Sequence, residues 1–214
     1  MIPLNLHLDK SVNPDVEIPR LRELMPASGR MVAEIVSQPS QRQVILAPMP
    51  RPWQSRYPVN INLQLWARLP EPQRDLGFLR QVCWLTAVRL FKPDLYQGLT
   101  VVGVAGALIE LVQLDAVGAL TAGGLGALAG VQAWRSSRGP KAELRADEAA
   151  VQVALRRGYS ETDAARHLLA SIESIAYVEG RSGLSFIELI RSQNLRTLAG
   201  LSAVPVPDEL RSQR

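Results

Sequence analysis

The sequence predicts a mainly helical α+β chain with a small N-terminal β-sheet and a hydrophobic helical hairpin at its centre. Three observations predict it. From Leu95 to Trp134 there is no Lys or Arg, and Glu110 and Asp115 are the only acids. Ahead of that stretch lie short runs rich in Val and Ile, separated by Pro, Gln and Ser, as strands and turns require. Around it lie segments with apolar residues at helical spacing, opened by proline or an acid and closed by glycine or proline.

Taken in order, residues 1–17 are polar, carry Pro3 and Pro14, and read as a flexible arm. Ile18 to Met25 reads as a short helix closed by Pro26 and Gly29. Met31 to Ser37 and Gln43 to Ala47 read as a β-hairpin across Gln-Pro-Ser-Gln-Arg. Pro48 to Pro58 holds four prolines with Trp53 and Tyr57 between them, and is expected to be an extended loop over the core. Val59 to Trp66 alternates apolar and polar residues along its length, the clearest strand pattern in the chain. Pro70 to Phe91 follows as a long helix, with acids in its first turn, Arg89 and Lys92 near its end, and Pro93 as its stop.

The central stretch consists of two apolar runs, Leu95 to Val112 and Ala116 to Trp134, around a polar break at Gln113 to Asp115. Spanning a bilayer takes roughly 17 to 25 apolar residues in a helix, so the pair reads as a membrane hairpin. Its small residues fall four apart: Gly103 and Ala107 in the first run, and Gly118, Ala122, Gly126 and Gly130 in the second. On helices they form a smooth stripe that lets backbones approach closely. Arg89, Lys92, Arg135, Arg138 and Lys141 flank the hairpin and none lies at its tip, so both ends face the cytoplasm. Glu110 is expected to reach the far headgroups.

After Pro140, the run to Gly158 is a well-punctuated helix. Ser160 to Ile175 begins with a Ser160/Asp163 capping pattern and carries His167, read as an ordinary surface or core residue. Leu184 to Leu198 is a last helix with a break point at Asn194, and residues 203–214 read as a loose tail.

Composition narrows the function classes. A net charge of +4 suits an anionic membrane surface as well as nucleic acid. The arginines are dispersed, without a zinc knuckle, helix-turn-helix or aromatic-basic platform, so nucleic acid is not an expected partner. No glycine-rich loop is followed by Lys-Ser or Lys-Thr, which leaves no phosphate-binding loop. One cysteine, Cys83, cannot make an internal disulfide or a cysteine-based zinc site. The first fifteen residues lack the pattern of a signal peptide, so insertion is expected to be driven by the hairpin.

The order of elements, with Glu143-Leu-Arg-Ala146-Asp147 on the helix after the hairpin, resembles the gluzincin-type integral-membrane zinc peptidases. That group includes the heat-shock membrane peptidases and the CAAX-prenyl endopeptidases. In these families a strand precedes a helix bearing His-Glu-x-x-His, and a later helix supplies Glu-x-x-Ala-Asp. The histidines and the later Glu bind zinc, and the first Glu activates water. Glu143, Ala146 and Asp147 match the later motif, whereas Arg80, Gln81 and Trp84 stand at the positions of the first. A guanidinium has no lone pair to give, an indole only donates, and an amide takes no proton from water. The resemblance, over about residues 59–198, therefore implies a peptidase-like fold with its C-terminal helices packed as in those enzymes, a lost metal site and no cofactor. It leads to a pairing of Arg80 with Glu143 and of the Trp84 indole with Asp147. The sequence also looks like a family of uncharacterised cyanobacterial proteins, which would place it in a thylakoid or plasma membrane.

The expected organisation is one discontinuous cytoplasmic domain, residues 18–92 and 139–202, anchored by a hairpin at 95–134. Its expected function is non-catalytic: a scaffold or an assembly or quality-control factor. The bilayer and another membrane protein are the expected partners, and the small-residue stripes serve pairing either within the hairpin or between chains, as in a homo-oligomer. By analogy with peptidases that dock substrate as an added strand, a groove beside Val59 to Trp66 would receive the partner. Two other readings stand beside it: a metallopeptidase with ligands such as Glu143, Asp147 and His167, and a soluble basic adaptor with the hairpin as its core.

Overall fold

A computed structural model describes residues 12–50, 54–87, 101–106, 124–128 and 139–207. Helices predominate, with one three-stranded sheet near the N-terminus. Asn13 opens α1 (Pro14–Leu24) by accepting the Asp15 N–H at 2.9 Å, so residues 14–17 belong to a packed helix and not to an arm. Glu17 and Leu21 are buried there. A short α2 (Ala27–Val32) leads directly into β1 (Ala33–Ser37).

The sheet corrects the expected hairpin. β1 and β2 (Ile45–Leu46) do not pair with each other, because β3 (Tyr57–Ile61) lies between them, parallel to β1 and antiparallel to β2. Val59 and Ile61 of β3 are wholly buried, and a central position covers more of such a strand than an edge does. The alternating pattern also ends earlier than expected. Asn62 turns the chain by accepting the N–H groups of Gln64 and Leu65, and Leu63–Trp66 forms the single turn α3. Its amide N–H groups bond the carbonyls of Pro39 and Gln41, tying this corner to the β1–β2 connection.

The helix α4 (Glu71–Ala87) is the axis of the molecule, with ten buried residues from Asp75 to Leu85. It packs on α2, on α5 (Pro140–Leu155) and on α6 (Glu161–Val178). Two glycines permit the close approaches. A Cβ on Gly29 would collide with Val82, and one on Gly77 would lie 2.8 Å from Ser171 Oγ. α6 is capped by Ser160, whose hydroxyl accepts the Asp163 N–H at 3.0 Å. α7 (Phe186–Leu198) carries a complete Ser185/Glu188 capping box and runs unbroken through Asn194, which is buried in it. The segment after α7 is not loose as far as residue 207. Val206 is buried, and the Val204 carbonyl accepts from Gln193 Nε2 at 2.7 Å and Thr197 Oγ1 at 3.1 Å.

Ala107, Gly118, Ala122, Gly130 and most of the expected hairpin lie outside the described residues. Residues 101–106 and 124–128 are helical, with Gly103 and Gly126 buried and Val101, Val102, Val104, Leu125 and Leu128 exposed. Among the described residues, no helix is long and apolar enough to cross a membrane.

Gly29→Ala is expected to lower the unfolding free energy by about 1–3 kcal/mol, the range for overpacking a filled core. Urea denaturation monitored by circular dichroism measures it.

Candidate functional site: a buried charge network

Three helices bring four charges together. α4 supplies Arg80, α5 supplies Glu143 and Asp147 one turn apart, and α7 supplies Arg191. Spacing of i and i+4 puts both acids on the same face of α5. Asp147 is wholly buried, and Arg80 and Arg191 are nearly so. Arg191 grips Asp147 through two parallel bonds, Nε to Oδ2 and Nη2 to Oδ1, both 2.8 Å. Arg80 pairs with Glu143 through Nη2 and lies 3.6 Å from Asp147 Oδ1 through Nε. Arg80 Nη1 donates to Gln81 Oε1 at 3.2 Å.

Two positive and two negative charges sum to zero, which lowers the cost of burying them. Burial opposes the charged form of Arg80, followed by the nearby Arg191 charge, and Asp147 favours it. A guanidinium keeps its proton at neutral pH. Arg80 thus has two carboxylate partners, Glu143 and Asp147.

Of the residues singled out from the sequence, Arg80, Glu143 and Asp147 come together and Trp84 does not join them. Its indole N–H has no acceptor, so the expected bond to Asp147 is absent. Arg191 takes the place assigned to that indole, and a bidentate guanidinium satisfies both carboxylate oxygens where an indole satisfies one. The residues do not fit a zinc ion: Arg80 is a cation, and both oxygens of Asp147 are engaged by Arg191. Among the described residues no three His, Cys, Asp or Glu side chains converge as a metal site, so Glu143, Asp147 and His167 do not assemble as ligands. His167 instead meets the Tyr159 ring edge to face at 6.1 Å. Burial pushes the Cys83 thiol up to about 11, which keeps it protonated and unreactive at neutral pH.

Two further clusters escaped the sequence reading. Under α1, Glu17 accepts from Arg20 Nη2 at 2.9 Å, Arg74 Nη1 at 2.7 Å and the Trp66 indole at 2.9 Å. Asp75 accepts from Arg20 Nη1 at 2.6 Å and from the Tyr159 hydroxyl at 2.9 Å. Burial opposes ionisation of Glu17, but Arg20 and Trp66 outweigh it and hold the carboxyl below its ordinary range. Burial also raises Tyr159, with the Asp75 bond adding to it, so this phenol stays a donor.

Between α6 and α7, Arg181 is bidentate to Glu188 at 2.8 and 2.9 Å and also reaches Glu179 at 2.9 Å. Glu179 Oε1 in turn accepts the Val44 N–H at 2.8 Å, joining the sheet to α6.

The expected groove for an added strand is also corrected. β3 has neighbours on both sides, so Val59 to Ile61 offers no free edge. The free edges of this sheet belong to β1 and β2.

Removing one partner from a buried ion pair costs about 3–5 kcal/mol, whereas replacing the pair with apolar groups is often neutral. Arg80→Met is therefore expected to destabilise strongly, and Arg80→Met with Glu143→Leu to recover at least about half of that loss, as read by chemical denaturation. The capping carboxyl gives a pH signature. Burial would raise Glu188, yet Arg181 and Ser185 hold it at about 2, against an ordinary 4.5. Its folded value is the lower one, so its contribution is complete above pH 4.5 and is lost as pH falls towards 2. Glu188→Gln should flatten the decline of stability across that window, by about 1 kcal/mol once solvent screening of this partly exposed pair is counted.

Comparison with known proteins gives a family and no assigned activity. A protein of Synechocystis sp. named as a thylakoid membrane protein is 27% identical over 120 residues, which cover 55% of this chain. The match spans 57% of that relative's length. No solved structure matches the chain. A family model described as "Protein of unknown function (DUF3318)" matches residues 19–159, a span that contains Arg80, Glu143 and Asp147, and the chain belongs to this family.

Proposed function

We propose that this chain is a non-catalytic, membrane-held protein in which a peptidase-like arrangement of helices serves as a scaffold or assembly factor for another membrane protein. The observation that carries the reading is Arg80, a cation at the place where the resemblance puts a metal ligand, paired with Glu143 and beside Asp147. A carboxylate occupied by a guanidinium is not available to bind a metal or to take a proton from water. The helix order and the Glu143/Ala146/Asp147 motif remain in use for structure, as the seat of an ion network.

Membrane attachment has its own support. The hairpin segment carries no basic residue from Leu95 to Trp134. Its described pieces bury Gly103 and Gly126 while exposing Val101, Val102, Val104, Leu125 and Leu128. Large aliphatic side chains left on the outside suit helices in contact with lipid. The Synechocystis relative is named for the thylakoid membrane, and that is the membrane we assign to this chain, with both hairpin ends on the cytoplasmic side.

Fractionation checks the reading. The protein should stay with the membranes through carbonate extraction, and the detergent-purified protein should contain zinc far below one ion per chain. Release by carbonate would favour the soluble adaptor, and stoichiometric zinc would favour a metallopeptidase.

A further inference from the structure

A cleft of about 380 Å³ opens between β2, α4, α6 and α7, on the front of the charge network. It is within the size range of small-molecule pockets. Its apolar lining comes from Ile45, Leu168, Ile172 and Ile175. Arg80, Gln81 and Arg191 line it as well, as do Arg181, Glu179 and Glu188, while Glu143 and Asp147 do not. The carboxylates of the charge network are thus kept off the cleft surface, and those that line it are Glu179 and Glu188.

Arg191 is prepared for a ligand. Its Nε and Nη2 are fixed by Asp147, so the planar group is held in one orientation with Nη1 left over. Gln81 turns its amide oxygen to Arg80, which leaves its NH2 group as a donor. A side chain whose orientation is fixed before binding loses little entropy when it binds.

The remaining charges at the cleft limit what fits. Glu179 and Glu188 share the single cation Arg181. A second negative charge on the ligand would face that surplus, so a dianion or a nucleic acid is disfavoured. We propose that this cleft binds a small monocarboxylate with an apolar body, its carboxylate accepting from Arg191 Nη1 and the Gln81 amide and its body lying on Ile172 and Ile175. The site is distinct from membrane attachment and does not rest on it.

The test uses the full chain in lipid nanodiscs titrated with 4-phenylbutyrate by isothermal calorimetry, with empty nanodiscs as the blank. Saturable one-to-one binding is expected. The neutral isostere 4-phenylbutanamide should bind at least about tenfold more weakly, as expected for losing charge-assisted hydrogen bonds. Gln81→Glu places a negative charge at the donors and should weaken binding by a similar factor. Ile175→Trp should fill the cleft and abolish binding, with circular dichroism confirming that both variants fold. Absence of saturable binding, equal affinity for the amide, or unchanged binding by folded Gln81→Glu overturns the proposal.

Discussion

Asp147 sits wholly buried where three helices meet, and the body of the molecule depends on how that charge is satisfied. A carboxylate taken out of water is tolerated only with counter-charge and hydrogen bonds. Arg191 supplies both from α7 through a bidentate grip, and Arg80 adds a second positive charge from α4. Arg80 brings with it the need for Glu143, which closes the network at zero net charge. Each member is buried acceptably only because the others are present, so α4, α5 and α7 are held in one arrangement. Apolar packing alone would allow neighbouring helices to slide or rotate, and the directional pairs restrict this.

The same logic recurs nearer the start of α4. Arg20, Arg74, Trp66 and Tyr159 surround Glu17 and Asp75, fixing α1 and the chain after α5 to the first turns of the central helix. Arg181 repeats it between Glu179 and Glu188, and the Val44 N–H extends that cluster into the sheet. α4 is thereby tied by ionic clusters in its first turns and at its middle, together with apolar packing and the close glycine approaches at Gly29 and Gly77.

Much of this was legible in the sequence, for identifiable reasons. α4 and α5 have strong punctuation: Pro70 and Glu71 at one start, Gly139 and Pro140 at the other. The Arg80–Glu143 pair was expected only by way of the resemblance to zinc peptidases, and the ion pair in the structure stands independently of that kinship. Arg191 was missed because nothing at the level of helical spacing separates a buried arginine on α7 from Arg196, which is largely exposed. The Glu17 cluster was missed because Pro14 was read as a mark of irregular chain, when at a first helical position it favours a helix. The strand order was misread for another reason. Composition identifies strands but not neighbours, and the long connection from β2 to β3 carries no turn signal that would place β3 in the middle. The signal available was Val59 and Ile61, two apolar residues on one face of the strand, both wholly buried.

The central claim is that Arg80 and Arg191 are locked, charged side chains and not mobile ones. Nitrogen-15 NMR of the arginine Nε–H groups tests it most directly, through exchange with solvent at neutral pH. The account predicts resolved, slowly exchanging signals for Arg80 and Arg191, with the Arg191 signal shifting and broadening in an Asp147→Asn variant that remains folded. Exchange of both groups as fast as that of the exposed Arg196 would contradict it.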